Sequence, residues 1–254
     1  MRVFFPVTLS QALSLRSEYK CTVLSGGTDF MLKKQVLLSN ESDLLVLQKV
    51  EELREISVKD GIIHVGACAT QTDILGNPLL WKVFRDVVSC MSCPAIRNMA
   101  TIGGNICNAS PAGDLILLMH LLNADVVVQS LHGRRTIKIH DFITGPGKTV
   151  LKEDELLTEL CFEDSLRDYS YFYKKVGTRK ANALSKLSFA GAVKYSGSTV
   201  SDIRIAIGAV APVVVRSAEI EKLFSNRSRQ ELKDSSYSIS KLYEKYLKPI
   251  DDQR

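Results

Sequence analysis

The residues best placed to do chemistry are two glycine pairs flanked by hydrogen-bonding side chains, Ser25-Gly26-Gly27-Thr28-Asp29 and Thr101-Ile102-Gly103-Gly104-Asn105. A glycine pair can expose backbone N–H groups and brings no Cβ to hold a ligand away, which is how loops cradle phosphate or pyrophosphate. One such pair is an ordinary turn. Two pairs converging from distant parts of one chain could supply donors to both phosphates of a dinucleotide, with Asp29 or Asp114 accepting from ribose or ribityl hydroxyls. Asp114 follows the turn Pro111-Ala112-Gly113 and opens the apolar run Leu115 to Leu122, so it is also expected to N-cap a helix.

Other patterns carry less. Cys90-Met91-Ser92-Cys93 has redox or metal-site spacing. Zinc and iron–sulfur sites take about four ligands; Cys107 is one possible third ligand, but there is no second C-x-x-C, so free thiols are expected. His64, His120, His132 and His140 fall in different elements without ligand spacing, and none is given a catalytic or metal role. Gly147-Lys148-Thr149 ends like a P-loop, but Phe142 stands where that motif needs its first glycine, and the reading is rejected. Lys174-Lys175-Val176-Gly177-Thr178-Arg179-Lys180 is a cationic strand end, read either as a solvated edge or as a lysine beside a cofactor.

Short alternating elements must position these residues. Thr8 and Gln11 have capping-box spacing and start a helix to about Tyr19, with Leu9, Leu13 and Leu15 inward. Cys21 to Leu24 and Leu44 to Leu47 read as buried strands. The first glycine pair therefore leaves a strand and enters a helix at Phe30 to Lys34, a place where anions are often bound. Ile56 to Val58 and Ile62 to Val65 flank Lys59-Asp60-Gly61 as a hairpin. Thr70 caps a short helix to about Gly76, helix resumes over 79–88, and Pro94 starts another before the second glycine pair. A hairpin over 124–129 and 135–139 and a strand over 156–162 follow. The acidic stretch Glu163-Asp164-Ser165 is the expected domain boundary, giving 1–163 (lobes of about 1–50 and 51–163) and 164–254. Beyond it lie strands at 169–176, 187–195 and 200–210 and helices at 216–224 and 235–247.

Composition narrows the class. The 254 residues are 45% hydrophobic and 24% charged, which supports an ordinary core. The net charge of +5 is spread over scattered pairs with acids between them, and no nucleic-acid module is present. Six cysteines are too sparse for a disulfide scaffold. The N-terminus is not a signal peptide, and no apolar run approaches the ~20 residues of a membrane helix. A cytoplasmic, reducing compartment is expected, with neither nucleic acid nor membrane as partner.

The order and separation of the two glycine stretches resemble the FAD-binding medium subunit of molybdenum hydroxylases, of the xanthine dehydrogenase and carbon monoxide dehydrogenase type. Supporting matches run through nearly the whole chain: Phe4-Phe5-Pro6 with Gln11-Ala12-Leu13, Gly61 to Gly66, Ile96-Arg97-Asn98, Ala109 to Asp114, Thr144 to Thr149, Asp154 to Leu157, and Lys175 to Arg179. The resemblance implies an α+β fold, a two-lobed FAD-binding domain of the molybdopterin dehydrogenase type followed by a C-terminal sheet-and-helix domain. It implies FAD as the redox centre on this chain, with Val23, Leu24, Ser25, Gly26, Gly27, Thr28, Asp29, Phe30, Thr101, Ile102, Gly103, Gly104 and Asn105 around its phosphates and ribityl chain. Asp114, Leu156 and Lys175 are implied near the cofactor too. It further implies partner subunits with [2Fe–2S] clusters and a molybdopterin cofactor, with NAD⁺ as the expected acceptor. No general acid, base or metal ligand is assigned. Met91 takes a position that is often aromatic in eukaryotic relatives. The chain stops at Pro249 to Arg254, where relatives continue into another helical segment, so either a shortened C-terminal domain or a truncated sequence is expected. The alternatives are a self-contained FAD-dependent reductase on a related fold and a non-enzymatic nucleotide-binding scaffold.

Overall fold

A computed structural model of the chain describes residues 1–32, 43–179 and 183–250. The first unit is a small parallel sheet, with β2 (Cys21–Leu24) and β1 (Val3–Phe4) on either side of β3 (Asp43–Val46), packed on α1 (Leu9–Glu18). Thr8 caps α1 by accepting from the Gln11 amide at 3.2 Å. In return the Gln11 side-chain oxygen accepts from the Val7 amide at 3.0 Å, one residue earlier than in a closed capping box. Ala12, Leu13, Leu45, Leu47 and Leu53 fill the core beneath, together with Leu156 from far along the chain.

The second unit is an antiparallel five-stranded sheet in the order β4 (Ile56–Lys59), β5 (Ile62–Gly66), β10 (Leu156–Glu163), β6 (Asp125–Ser130), β7 (Gly133–Lys138). Between β5 and β6 the chain forms α2 (Gln71–Gly76), α3 (Lys82–Ser89), α4 (Pro94–Arg97), α5 (Ile102–Asn108) and α6 (Asp114–Leu122). After β7 come α7 (Ile139–Phe142) and the small hairpin β8 (Ile143–Gly145) and β9 (Lys148–Thr149), so Gly147 sits in a hairpin turn and not in a P-loop. The third unit is a sheet of β11 (Ser170–Gly177), β12 (Ser185–Ser196), β13 (Thr199–Gly208) and β14 (Val215–Arg216), with α8 (Ala218–Lys222) and α9 (Arg229–Glu244).

One helix joins the second and third units. Every residue of α6 is buried, from Asp114 to Leu122, as expected for a helix that is apolar all round. On one side it meets α3 and α5; on the other it lies across β12 and β13. The sheet face beneath it is kept low by small residues. Ala190 pairs with Ala206 and Ser188 with Gly208. A Cβ on Gly208 would lie 2.5 Å from the Ser188 hydroxyl, with a Leu117 methyl at 3.4 Å. The main core therefore runs from Ile63 and Leu160 through α6 to Ala190, Ala192 and Ala206 without a break.

Several boundaries differ from the sequence reading for local reasons. The Phe30 to Lys34 helix is only a turn through Leu32, and Lys33 and Lys34 lie outside the described residues. The helix expected from Leu79 begins at Lys82, because the Asn77 side chain accepts from the Leu79 amide (2.9 Å) and holds a turn there. Arg216 belongs to a short strand. The last helix starts at Arg229, where Ser228 and Glu231 form a reciprocal capping box.

Within α6, His120 is buried and its Nδ1 lies 2.9 Å from the Ile116 carbonyl. Burial pushes its pKa down from 6.5 to about 4, so the native ring stays neutral where an unfolded one would charge. The folded pKa is depressed, so this contribution is intact above about pH 6.5 and is lost as pH falls toward 4. Between pH 7 and pH 5 the group is expected to remove about 2 kcal/mol of stability. Denaturant unfolding of the wild type and of His120→Gln at both pH values is expected to show a smaller acid-side loss in the variant.

Candidate functional site

The two glycine stretches meet. Gly26 lies against the backbone just before Thr101: a Cβ there would stand 1.9 Å from the Met99 carbonyl oxygen. The Gln71 amide donates to the Ala100 carbonyl (2.8 Å) and the Ile102 amide to the Ala69 carbonyl (3.0 Å). These reciprocal bonds stitch together the starts of α2 and α5, each capped by a threonine, Thr70 and Thr101. Gly103 in turn packs on Ala67, whose Cβ would be 2.7 Å from a Cβ at that position.

Each pair thus divides its labour. The first glycine, Gly26 or Gly103, is demanded by a neighbouring backbone. The second, Gly27 or Gly104, faces space. Gly27 has φ +68° with nothing within 4 Å of the point a Cβ would occupy, and at Gly104 the nearest atom to that point is the Thr101 hydroxyl at 3.0 Å. A positive φ favours glycine because other residues meet a steric penalty there.

Gly27 and Gly104 border an open cavity of about 630 Å³, within the range usual for cofactor sites. Val23, Leu24, Ser25, Gly26, Gly27, Thr28, Asp29 and Phe30 line it from one side, and Thr101, Gly104 and Asn105 from the other. A smaller apolar cavity of about 170 Å³ adjoins it and shares Val23, Ser25, Gly104 and Cys107 as walls; Leu47, Ala67, Gly103, Leu156 and Leu157 complete much of it. The start of β10 is fixed by Glu155, buried and gripped by Arg135 at 2.7 and 2.8 Å. That guanidinium holds the Glu155 carboxyl below its ordinary range.

The second glycine stretch is not the free loop the sequence suggests. It forms the first turn of α5, and its amides are in use. Ile102 donates to Ala69 O, Gly103 to Ala67 O (2.8 Å), and Gly104 to the Thr101 hydroxyl (3.2 Å). The amides of Gly26, Gly27 and Thr28, in contrast, donate to no partner among the described residues. Two further groups await a partner. Asn105 Oδ1 is buried without a hydrogen bond, and so is Arg16 Nε, although Arg16 Nη1 donates to the Cys21 carbonyl. Burial lowers the Arg16 pKa from its usual value. Buried polar atoms are normally satisfied, so a ring of spare donors, one spare acceptor and a desolvated guanidinium suits a polar anionic ligand with an apolar part.

Three residues placed near the cofactor by the resemblance line neither cavity. Ile102 is a core residue, 0% exposed. Asp114 does not cap α6; Gly113 holds that position and Asp114 is the first helical residue. Its carboxylate accepts from Lys175 Nζ at 2.7 Å and from the Ser185 hydroxyl at 2.8 Å. Lys175 also donates to the Cys90 carbonyl at 3.3 Å. The lysine and aspartate expected at the cofactor therefore satisfy each other, binding β11 and β12 to the N-terminus of α6. The neighbouring Tyr173 phenol is raised well above its ordinary value by burial and by Asp114. Cys90 and Cys93 are free thiols, as are the other cysteines.

Arg16, Cys68 and Gln71 line the cavities without having been singled out from the sequence, and Cys107, weighed there only beside Cys90 and Cys93, lines both. Arg16 shows no special neighbourhood in sequence; only the packing of α1 over β2 brings it inward.

Residues 1–162 match the family described as FAD binding domain in molybdopterin dehydrogenase. The chain belongs to this FAD-binding family. Residues 171–254 match the CO dehydrogenase flavoprotein C-terminal domain. The chain is an FAD-binding subunit of the molybdenum hydroxylase type, and its relatives are flavoprotein subunits of dehydrogenases. The nicotinate dehydrogenase FAD-subunit of Eubacterium barkeri is 34% identical over 207 residues, covering 78% of this chain and 70% of that protein. The glyceraldehyde dehydrogenase medium chain of Sulfolobus acidocaldarius is 34% identical over 209 residues, covering 78% and 71%. The fold of this FAD-binding subunit matches carbon monoxide dehydrogenase from Hydrogenophaga pseudoflava with a TM-score of 0.91 at 23% identity, over 99% of this chain and 88% of that one. Quinoline 2-oxidoreductase from Pseudomonas putida 86 matches with a TM-score of 0.90, also at 23% identity, over 100% and 88%.

The Asp114–Lys175 pair predicts a stability effect. Its side chains are only 4% and 11% exposed, and removing one partner of a buried pair costs about 3–5 kcal/mol. Lys175→Met is expected to lose stability on that scale in denaturant unfolding. Adding Asp114→Asn is expected to recover most of the loss, a rescue that a role confined to touching a cofactor would not produce.

Proposed function

We propose that this chain is the electron-transfer subunit of a molybdenum-containing dehydrogenase. It takes electrons from a partner subunit with [2Fe–2S] clusters, which is supplied by a molybdopterin-binding subunit, and passes them to NAD⁺. The observation that carries the FAD part is the set of groups without a partner among the described residues around two adjoining cavities: three amides at Gly26, Gly27 and Thr28 and the Asn105 carbonyl oxygen at the larger, and the Arg16 Nε at the smaller. The names of the relatives support the multi-subunit setting, since two of them are medium chains. The NAD⁺ part rests on the resemblance to xanthine dehydrogenase-type subunits. Six free cysteines suit a reducing cytoplasm, and no described helix is long and apolar enough to cross a membrane.

FAD, when bound, supplies the exchange between one-electron and two-electron transfer. The chain's own residues bind and orient it. The amides of Gly26, Gly27 and Thr28 donate to phosphate oxygens, and the Arg16 guanidinium, in the wall of the adjoining cavity, adds a positive charge to the site. Gly27 and Gly104 leave the wall flat enough for that approach. Asn105 Oδ1 accepts from a hydroxyl of the ribityl or ribose part. Val23, Leu47, Leu156 and Leu157 offer an apolar wall that takes a flat ring system and excludes water. Asp114 and Lys175 act at one remove, holding β11 and β12 in register with α6. No side chain is needed here as a general acid or base.

The test is the visible spectrum of the purified chain with added FAD. The wild type is expected to bind FAD and turn yellow; a folded preparation that stays colourless refutes the reading. Gly104→Asp puts a carboxylate into the cavity and is expected to weaken FAD at least tenfold, about 1.4 kcal/mol, with an unchanged far-UV spectrum. Gly104→Ala, which only crowds the Thr101 hydroxyl, is expected to lose much less. Equal affinity of Gly104→Asp and wild type would mean that the helix start is only structural. Turnover of a small substrate with NADPH by the chain alone would favour a self-contained reductase instead. Rapid mixing of the FAD-loaded chain with NADH checks the acceptor: bleaching of the flavin is expected, and its absence would remove NAD⁺ from the scheme.

A further inference from the structure

We propose that the outer face of the middle sheet carries a zinc site, formed by His64, Glu159 and Cys161. None of the three lines the cavities between the glycine stretches. They come together through sheet register alone. His64 on β5 is the direct cross-strand partner of Cys161 on β10, and Glu159 precedes Cys161 by two residues, so it projects from the same face. His64 Nδ1 lies 2.9 Å from Glu159 Oε2 and 3.3 Å from Cys161 Sγ. All three donor atoms fall within 4.8 Å of one another.

The two separations from His64 are close to what tetrahedral zinc requires. Bonds of about 2.0–2.3 Å at the tetrahedral angle place neighbouring donors roughly 3.3–3.6 Å apart. The two His64 separations need a few tenths of an ångström of side-chain adjustment, and the Glu159 and Cys161 donors, within 4.8 Å of each other, would close on the ion from either side. The backbone beneath is firm, because Ile63, Val65, Leu160 and Phe162 point from the same strands into the main core and are 0–3% exposed. Imidazole, thiolate and carboxylate together suit zinc better than magnesium or calcium, which prefer oxygen ligands alone.

The surroundings supply the rest. The side chains of His64 and Glu159 are 28% and 21% exposed, and both border a solvent-facing hollow of about 320 Å³. Water can reach the fourth position. Arg134 holds Glu159 Oε1 from outside, which turns Oε2 toward His64 as an outer-shell partner would. Without an ion, hydrogen bonds hold the three groups together, Glu159 accepting from the His64 N–H and the Cys161 thiol. An ion between the three donors would replace these bonds with direct ligation. On binding, the S–H bond of Cys161 breaks, its proton passes to water and a Zn–S bond forms, with no change of oxidation state. The ion would tie β5 to β10 at the centre of the sheet.

Cobalt is the probe. The full-length chain, stripped with chelator, is titrated with Co²⁺ and then with Zn²⁺ in competition. One equivalent is expected, with d–d bands to the red of any flavin absorption and a thiolate-to-cobalt charge-transfer band, both removed by zinc. Cys161→Ser is expected to abolish the charge-transfer band. His64→Gln and Glu159→Gln are expected to weaken zinc by more than the roughly tenfold to hundredfold that loss of an outer-shell partner costs. A Cys90→Ser/Cys93→Ser variant is expected to bind as the wild type does. Thermal unfolding in chelator checks that each variant folds, and should Cys161→Ser fail to fold, the two glutamine variants decide. No charge-transfer band in the wild type, unchanged affinity in His64→Gln and Glu159→Gln, or loss of binding in the Cys90/Cys93 variant would each overturn the proposal.

Discussion

Complete burial of α6 is the constraint on which the rest of the structure depends. A helix with leucine, isoleucine or methionine at almost every position has no face to offer water, and at about 25 cal/mol per Å² any side left open would cost several kcal/mol. It must be enclosed by α3 and α5 on one flank and by β12 and β13 on the other. Enclosure on the sheet side works only because that face is built from Ala190, Ala206, Ser188 and Gly208. The one polar residue at its start, Asp114, then has to be neutralised inside the core, and Lys175 and Ser185 arrive from the C-terminal sheet to do so. The two sequence regions matched to separate families therefore share one hydrophobic interior.

The cavity is a by-product of the same packing. With α5 held between α6 and β10, its first turn is pressed onto Ala67, and the first glycine loop is pressed onto Met99. Close backbone contact removes the need for side chains at those points and leaves Gly27 and Gly104 beside open space. The cavity is bordered by groups that secondary structure did not consume. The first turn of α5 commits its amides to Ala67 and Ala69, whereas those of Gly26, Gly27 and Thr28 have no partner among the described residues.

Much of this was legible in the sequence, and the exceptions have physical causes. Hairpins, threonine caps and the apolar α6 run are local signals, and they located β4–β5, α2 and α6 to within a residue or two. The paired glycine stretches identified the cavity walls as well. What could not be read was the state of each hydrogen-bonding group. Thr101-Ile102-Gly103-Gly104-Asn105 looks like a loop because glycine is a poor helix former; Thr101 as cap and the contact with Ala67 override that. Asp114 and Lys175 stand 61 residues apart, and only the fold shows that they face one another. His64, Glu159 and Cys161 have no ligand spacing because their proximity is set by strand register, which a one-residue slip would abolish.

The contact of Gly26 with Met99 has a thermodynamic consequence for ligand capture. The walls of the cavity touch backbone to backbone, with no compressible side chain between them, so their separation is fixed when the chain folds. A ligand entering this space does not have to draw two mobile lobes together, and the conformational entropy of shaping the site has already been lost by then. Affinity is governed by how well the incoming molecule satisfies the spare donors and acceptor. Folding alone therefore preorganises the contact between these two walls.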